Sequence, residues 1–388
     1  MANYKIGFWN YVDTGVLDPK KAAQDWKDLG MNMPMSFEYD PDKHDKQAAL
    51  DLLDACAERG MKVLFCDART RFDRLGNAGE KAFAEGVRQA TKDFASHSAF
   101  YGFHVGDEPD KKLWATAKRA FSVVREATPD AHTFINFLPY WDEDNFAEIM
   151  AKDKYAYQQM LAEFLCETGA DILAYDYYGQ CAYFERERFI DLYFQNLNMF
   201  GSAARSANAE LYPSLLSVGH WSLTVPDEDL LRWQIATSVA HGATGLMWFF
   251  VYERTLDGSF RLSPIDLFWE RTETFARLSR QNRTFMQFYD DKLAPFSFDG
   301  VWHVGKAYGD TPLFAGNGEV TAVETIVNPM PLAVTRFAAN DGKFAYAVTN
   351  LSQTEPTAIV VHGNAKLINM EYKLWLAPGQ MQLLLPEN

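Results

Sequence analysis

The residues best placed to do chemistry are the adjacent carboxylates Asp107 and Glu108, in the segment YGFHVGDEPD. They end an apolar run and are stopped by Pro109. A carboxyl at such a strand end sits in a partly apolar pocket, which raises its pKa and makes it a proton donor near neutral pH. A neighbouring Asp raises it further and can orient a substrate group. Asp107 and Asp110 are equally suited to cap the helix that follows DEPDKK, because acidic residues favour helix N-termini. Glu108 is the better acid.

Further polar residues recur where apolar runs end. They are Asn10, Glu38 with Asp40, Asp67 with Arg69, Asn136, Asp176, His220 with Trp221, and Glu253 with Arg254. Aromatic residues flank them: Trp9, Trp141, Tyr177, Tyr178, Trp248 and Tyr252. Sugar rings present apolar C–H faces and many hydroxyls, so aromatic platforms with hydrogen-bonding carboxylates suit a saccharide pocket. On this reading Trp9, Asn10, Glu38, Asp67, His104, Asn136, Tyr178, His220, Trp221 and Trp248 are expected to bind substrate. His104 shares strand parity with Glu108 and is as well suited to be a core histidine.

The elements that must hold these groups alternate in two patterns over residues 1–295. Short apolar runs occur at 5–12, 31–37, 62–68, 100–107, 132–139, 171–178, 211–218 and 245–252. Amphipathic stretches separate them. In KQAALDLLDACAERG, Leu50, Leu53 and Ala57 share a helical face and Gly60 supplies the stop. In KAFAEGVRQATKDF, Phe83, Val87, Ala90 and Phe94 do so. TVPDEDLLRWQIATSVAHG suggests a helix entered at Thr224 and a proline. Eight strand–helix units in succession predict a (β/α)8 TIM barrel. A doubly wound sheet fits less well, because WNYVDTGVLDP is no phosphate-binding glycine loop. In a TIM barrel the strand ends converge on one face, which is where the polar residues above fall.

From 296 to 388 the pattern changes to short β-like runs, with Asn340-Asp341-Gly342 as a hairpin signal. This predicts a C-terminal antiparallel β-sandwich, able to bind glycan or to pack on the barrel.

The motifs GFHVGDEP, ILAYDYYG and AHGATGLMWFF, at the fourth, sixth and eighth runs, resemble glycoside hydrolases of the large (β/α)8 clan. The eighth-run segment is most like family 42 β-galactosidases. The resemblance places the acid/base glutamate at Glu108, where the clan usually has Asn before it and this chain has Asp107. An Asp-Glu pair there is similar to hexosaminidase barrels that use the substrate's acetamido group as nucleophile. The clan's nucleophile is a glutamate ending the seventh run. Here that run reads LLSVGHWS and carries no carboxylate. Asp176, Glu253 or a route supported by Asp107 are the replacements; Asp176 is preferred, since a lone acid in an apolar strand is costly unless used or paired.

The implied function is glycosidic bond cleavage in an oligo- or polysaccharide with Glu108 as proton donor. Two alternatives are a non-catalytic glycan-binding barrel and a metal-dependent sugar isomerase or lyase, the latter needing His104, Glu108, Asp176 and His220 to converge. No cofactor or metal is expected. A formal charge of -15 disfavours nucleic acid and anionic membranes as partners. A homo-oligomer is left open. The four cysteines have no CxxC spacing and read as reduced thiols. The start has no apolar leader, which predicts a cytoplasmic protein; a leader already removed makes it secreted or periplasmic.

Overall fold

The computed structural model describes residues 4–254, 259–363, 367 and 373–386. Seven parallel strands form one sheet: β1 (Lys5–Phe8), β2 (Val63–Cys66), β3 (Phe100–Asp107), β4 (His132–Phe137), β5 (Ile172–Asp176), β6 (Glu210–Leu216) and β7 (Gly245–Phe249). Their order is β1-β7-β6-β5-β4-β3-β2. The gap between β2 and β1 is filled by the second apolar run. It forms no regular strand, because Pro34 lacks a backbone donor. It still bridges both edges: Met33 N donates to Ile6 O at 3.0 Å, Leu64 N to Pro34 O at 3.0 Å, and Ser36 N to Leu64 O at 2.9 Å. The eight expected units thus close into an α/β barrel.

Helices α1 (Pro19–Asp28), α2 (Lys46–Ala57), α3 (Phe72–Ala78), α4 (Glu80–Phe94), α5 (Trp114–Ala127), α6 (Phe146–Ile149), α7 (Lys154–Thr168), α8 (Arg186–Ser206), α9 (Glu228–Ala240) and α10 (Glu273–Phe285) accompany the strands. Helix α4 buries Phe83, Val87, Ala90 and Phe94, the expected face. In α2 the buried face is Ala49, Leu52, Leu53 and Cys56, one residue off the expected set, with Leu50 and Ala57 half-buried. Helix α9 is entered at Asp227, not Thr224: the Asp227 carboxylate accepts from Leu230 N at 2.8 Å. Carboxylates at that position also face the positive end of the helix dipole.

The core lies between strands and helices, where Phe8, Trp26, Phe37, Phe65, Trp233 and Trp248 are fully buried. Strands β8 (Phe296–Val304), β9 (Val320–Val327), β10 (Leu332–Ala339), β11 (Phe344–Asn350), β12 (Thr357–Gly363), β13 (Leu374–Leu376) and β14 (Met381–Leu384) follow. They form two antiparallel sheets, ordered β14-β11-β10-β8 and β13-β12-β9. Residues of both sheets share one apolar cluster, including Val323, Val334, Val348 and Val361. The Asn340-Asp341-Gly342 turn joins β10 to β11, with Gly342 at φ 83°. The run YKLWLAPG begins at Tyr372, outside the described residues. Strand β8 was not foreseen. It is a sheet edge whose sequence, FSFDGVWHV, includes Asp and Gly and is only partly buried.

These sheets dock on the barrel. Trp233 Nε1 donates to Leu351 O at 2.8 Å, Thr335 Oγ1 to Ala240 O at 2.9 Å, and Gln353 Nε2 to Gln180 O at 2.9 Å. Among the described residues, no helix is long and apolar enough to cross a membrane.

Candidate active site

The strand ends open into a cavity of about 290 Å³ lined by Asp107, Glu108, Asn136 and Asp176 and walled by rings. Its walls are Trp9, Tyr11, Tyr178, His220, Trp221 and Phe249. Strand β3, the fourth apolar run, delivers the acid pair. Its register slips between His104 and Gly106. Gly106 makes the slip feasible: a Cβ there would lie 2.2 Å from Phe72 Cδ1. Glu108 N still donates to Asn136 O at 2.9 Å. Glu108 itself adopts φ 45°, a conformation a non-glycine residue rarely takes without a reason. That turn sets its side chain in the open cavity; Asp110 Oδ1 accepts from Lys112 N at 2.9 Å and Leu113 N at 3.0 Å in the turn that leads into α5, which has no side-chain cap.

One amide organises the carboxylates. Asn136 Nδ2 donates to Asp107 Oδ1 at 3.0 Å and to Asp176 Oδ1 at 2.8 Å. Glu108 and Asp176 are hydrogen-bonded to each other, so one of them carries a proton. Glu108 is the protonated member. Although water reaches it, the surrounding protein strips enough solvent to favour the neutral acid, and the charges of Asp176 and Asp107 act in the same direction. Asp176 is also held above the usual carboxylate range by burial and by Asp107, but Asn136 and Glu108 donate to it and keep it the stronger acid. Burial raises Asp107 too, opposed by Asn136 and by the Arg71 guanidinium.

The remaining expected site residues fall in three places. Trp9, Tyr178, His220 and Trp221 line the main cavity. Tyr178 stacks on Phe249 at 5.3 Å, and His220 lies between Phe260 at 4.5 Å and Trp221 at 4.0 Å. Asn10 and Glu253 line a second cavity of about 330 Å³, which shares Trp9 and Tyr11 with the first. Glu253 accepts from Ser263 N at 3.3 Å and stays apart from the Asp107–Glu108–Asp176 cluster. Glu38, Asp67 and His104 line a smaller cavity of about 80 Å³ beside β2. Asp67 is spent on Arg69, which donates through Nε at 2.9 Å and Nη2 at 2.7 Å. His104 is buried below the floor, its Nε2 2.9 Å from Gly106 O. Burial pulls it down to about 3, so the ring is neutral. The β3 register slip breaks the parity that linked it to Glu108.

Trp248 does not reach the main cavity. It faces the helices, fully buried, and its Nε1 donates to Asn282 Oδ1 at 3.0 Å. The next residue, Phe249, points into the cavity instead, as alternation along a strand requires. Phe249 and Tyr11 were missed. The same period of two, counted from Trp9, finds Tyr11. Trp248→Ala is expected to cost about 3–5 kcal/mol in urea unfolding, the range for a buried large-to-small change, whereas Phe249→Ala costs clearly less.

The four side chains that could have converged on a metal do not: His104 is beneath the floor and His220 is held between rings. Among the described residues no group of three or more His, Cys, Asp or Glu is arranged to hold an ion.

No protein-family model matches the chain. No curated protein matches it either. Solved structures do. The β-galactosidase of the psychrophilic Marinomonas ef1 superposes with TM-score 0.55 at 12% identity, over 75% of this chain and 62% of that one. The cold-adapted β-galactosidase of Rahnella sp. R3 gives 0.56 at 11% identity, over 77% and 58%. A GH5_18 protein of Bifidobacterium longum subsp. longum, in complex with Manβ1-4GlcNAc, gives 0.53 at 10% identity, over 74% and 79%. In fold, the chain is an α/β barrel similar to the barrels of these proteins. The chain spans about three fifths of the two β-galactosidases. At these identities the likeness is of fold, and the barrel's chemistry rests on its own residues.

Proposed function

We propose that the chain is a glycoside hydrolase in which Glu108 protonates the departing glycosidic oxygen of an oligo- or polysaccharide. One observation carries this reading. Glu108, Asp107 and Asp176 stand together at the strand-end face of a barrel, in a cavity walled by aromatic rings, and burial and the two neighbouring acids push the Glu108 carboxyl toward its neutral form. Asp176 is the carboxylate that stays charged beside it and supports the positive charge that develops at the anomeric carbon. Asp107 holds Asn136 in place and keeps Glu108 neutral. The resemblance of the AHGATGLMWFF segment to family 42 favours galactosides or related hexosides. Barrel residues 1–295 are proposed as the catalytic domain and 296–388 as an accessory domain.

A carboxyl separation of ~5 Å marks retaining enzymes and ~6.5–9.5 Å inverting ones. The first-formed anomer, followed by NMR, assigns the outcome. The test of the function itself is turnover over a panel of aryl and natural glycosides, with Glu108→Gln as the control.

A second reading is favoured by a specific observation: no carboxylate follows β6 where the clan's nucleophile stands, and His220 and Trp221 occupy that edge. A barrel of this kind binds glycan without cleaving it. Saccharide binding with no turnover over the same panel would establish it.

The pH profile follows from the charge arrangement. Activity needs Glu108 protonated and Asp176 ionised, so a bell is expected, with its alkaline limb well above the ordinary carboxylate range. Removing the Asp107 charge makes it easier to ionise both partners. Asp107→Asn is therefore expected to move both limbs of kcat/KM to lower pH; an unmoved alkaline limb would separate Asp107 from the acid.

A further inference from the structure

The second cavity contains a cation that the mechanism leaves unused. Arg254 follows β7 and lines this cavity with Asn10, Asp13, Glu253 and Trp269. Its guanidinium lies 4.3 Å above the Tyr11 ring and 5.7 Å from that of Phe260. It is exposed and forms no ion pair with a described residue. Several arginines of the barrel are spent on carboxylates, among them Arg69 on Asp67 and Asp93, Arg271 on Asp25 and Asp28, and Arg280 on Glu228. Two acids share the cavity with Arg254 without an ion pair to it, and Glu38 lies close enough to feel its charge. Glu253 accepts from Ser263 N, and Asp13 has His44 at 3.9 Å. A guanidinium over a ring, with no ion pair to a described residue, can receive an anion in a bidentate grip.

The position limits what that anion can be. Trp9 and Tyr11 belong to both cavities, so the Arg254 cavity lies directly beside the one that holds Glu108. The catalytic cavity itself, with Asp107 and Asp176, repels a negatively charged ring. The anion is thus accommodated one sugar away from the cleavage point and not at it.

We infer that the Arg254 cavity is a subsite for an acidic sugar, one bearing a carboxylate or sulfate, adjacent to a neutral sugar at Glu108. The inference rests on the proposed glycosidase only for which sugar is cleaved; recognition of the anion stands by itself. Calorimetric titration of the full chain carrying Glu108→Gln tests it without turnover. The probes are uronate-containing oligosaccharides, the same oligosaccharides after carboxyl reduction, and sulfated oligosaccharides.

Carboxyl reduction is expected to weaken binding about tenfold, as loss of one charge-assisted contact does. Added Arg254→Gln should erase that difference while leaving the neutral forms as they were, and Arg254→Lys should restore part of it. Tighter binding of the sulfated probes than of the uronates would assign the charge to sulfate. Neutral forms binding as tightly as acidic ones, or a preference that survives Arg254→Gln, would overturn the subsite. Acid-selective binding with no cleavage by the native chain supports the subsite and removes the hydrolase. Cleavage of neutral glycans with no acid preference does the reverse.

Discussion

Glu108→Gln is expected to lower hydrolysis of natural glycosides by about 10²–10⁴-fold while leaving the circular dichroism spectrum and saccharide binding in place. That range is what a positioned general acid contributes. The substitution keeps the side chain's shape and its hydrogen bond to Asp176, and removes only the transferable proton. The loss should depend on the leaving group. An aryl glycoside whose phenol leaves unaided needs little protonation, so its rate should fall far less than that of an alkyl glycoside. Kinetics on the two substrates separate loss of the acid from loss of the pocket. Equal losses would point to a damaged site, and retained activity on alkyl glycosides would remove Glu108 from the role. The folded state should gain stability near neutral pH. Glu108 has its pKa raised on folding, so its ionisation is resisted in the folded chain, and stability falls as pH rises from the unfolded value toward the folded one. Glutamine removes that penalty, as is common for residues kept for function.

A large, pH-dependent effect on stability is expected at Arg69. Asp67 is fully buried and receives both Arg69 Nε and Nη2, and Arg69 Nη1 reaches Asp93 at 2.9 Å. Arg69→Met leaves Asp67 as an uncompensated buried charge, which costs about 3–5 kcal/mol at neutral pH. Lowering the pH should shrink that cost. Burial already raises Asp67, and Arg69 is the chief group opposing it. Without Arg69 the carboxyl neutralises at higher pH, so the variant loses less, relative to the native chain, at about pH 5 than at pH 7. Urea unfolding at the two pH values reads the difference. A cost that does not change with pH would assign it to the lost contact of the Arg69 guanidinium with the Tyr39 and Phe94 rings instead.

The second apolar run and α9 show how far the sequence reaches. Eight apolar runs separated by amphipathic stretches specify a barrel, because a strand buried on both faces must be apolar throughout. The pattern could not show that Pro34 would turn one strand into a pair of bridges. It also placed the α9 entry at Thr224, where three acids further on compete to cap and Asp227 prevails. Short-range chemistry of this kind depends on which backbone donors end up facing which side chain.

The site divides in the same way. Residue type and strand-end position determined that Glu108, Asp107, Asn136 and Asp176 lie on one face of the barrel, since every strand delivers its C-terminal end there. That the acid pair follows the fourth run and no carboxylate follows the seventh was also written in the sequence. Only the tertiary structure decided which of these groups touch. The register slip at Gly106 moved His104 below the floor, strand alternation exchanged Trp248 for Phe249, and one amide, Asn136, bound Asp107 to Asp176. Glu108 is pushed toward its neutral form by burial first, then by Asp176 from β5 and by its own neighbour Asp107. A chain's order lists its charges, but only their distances in the folded barrel fix which one holds a proton.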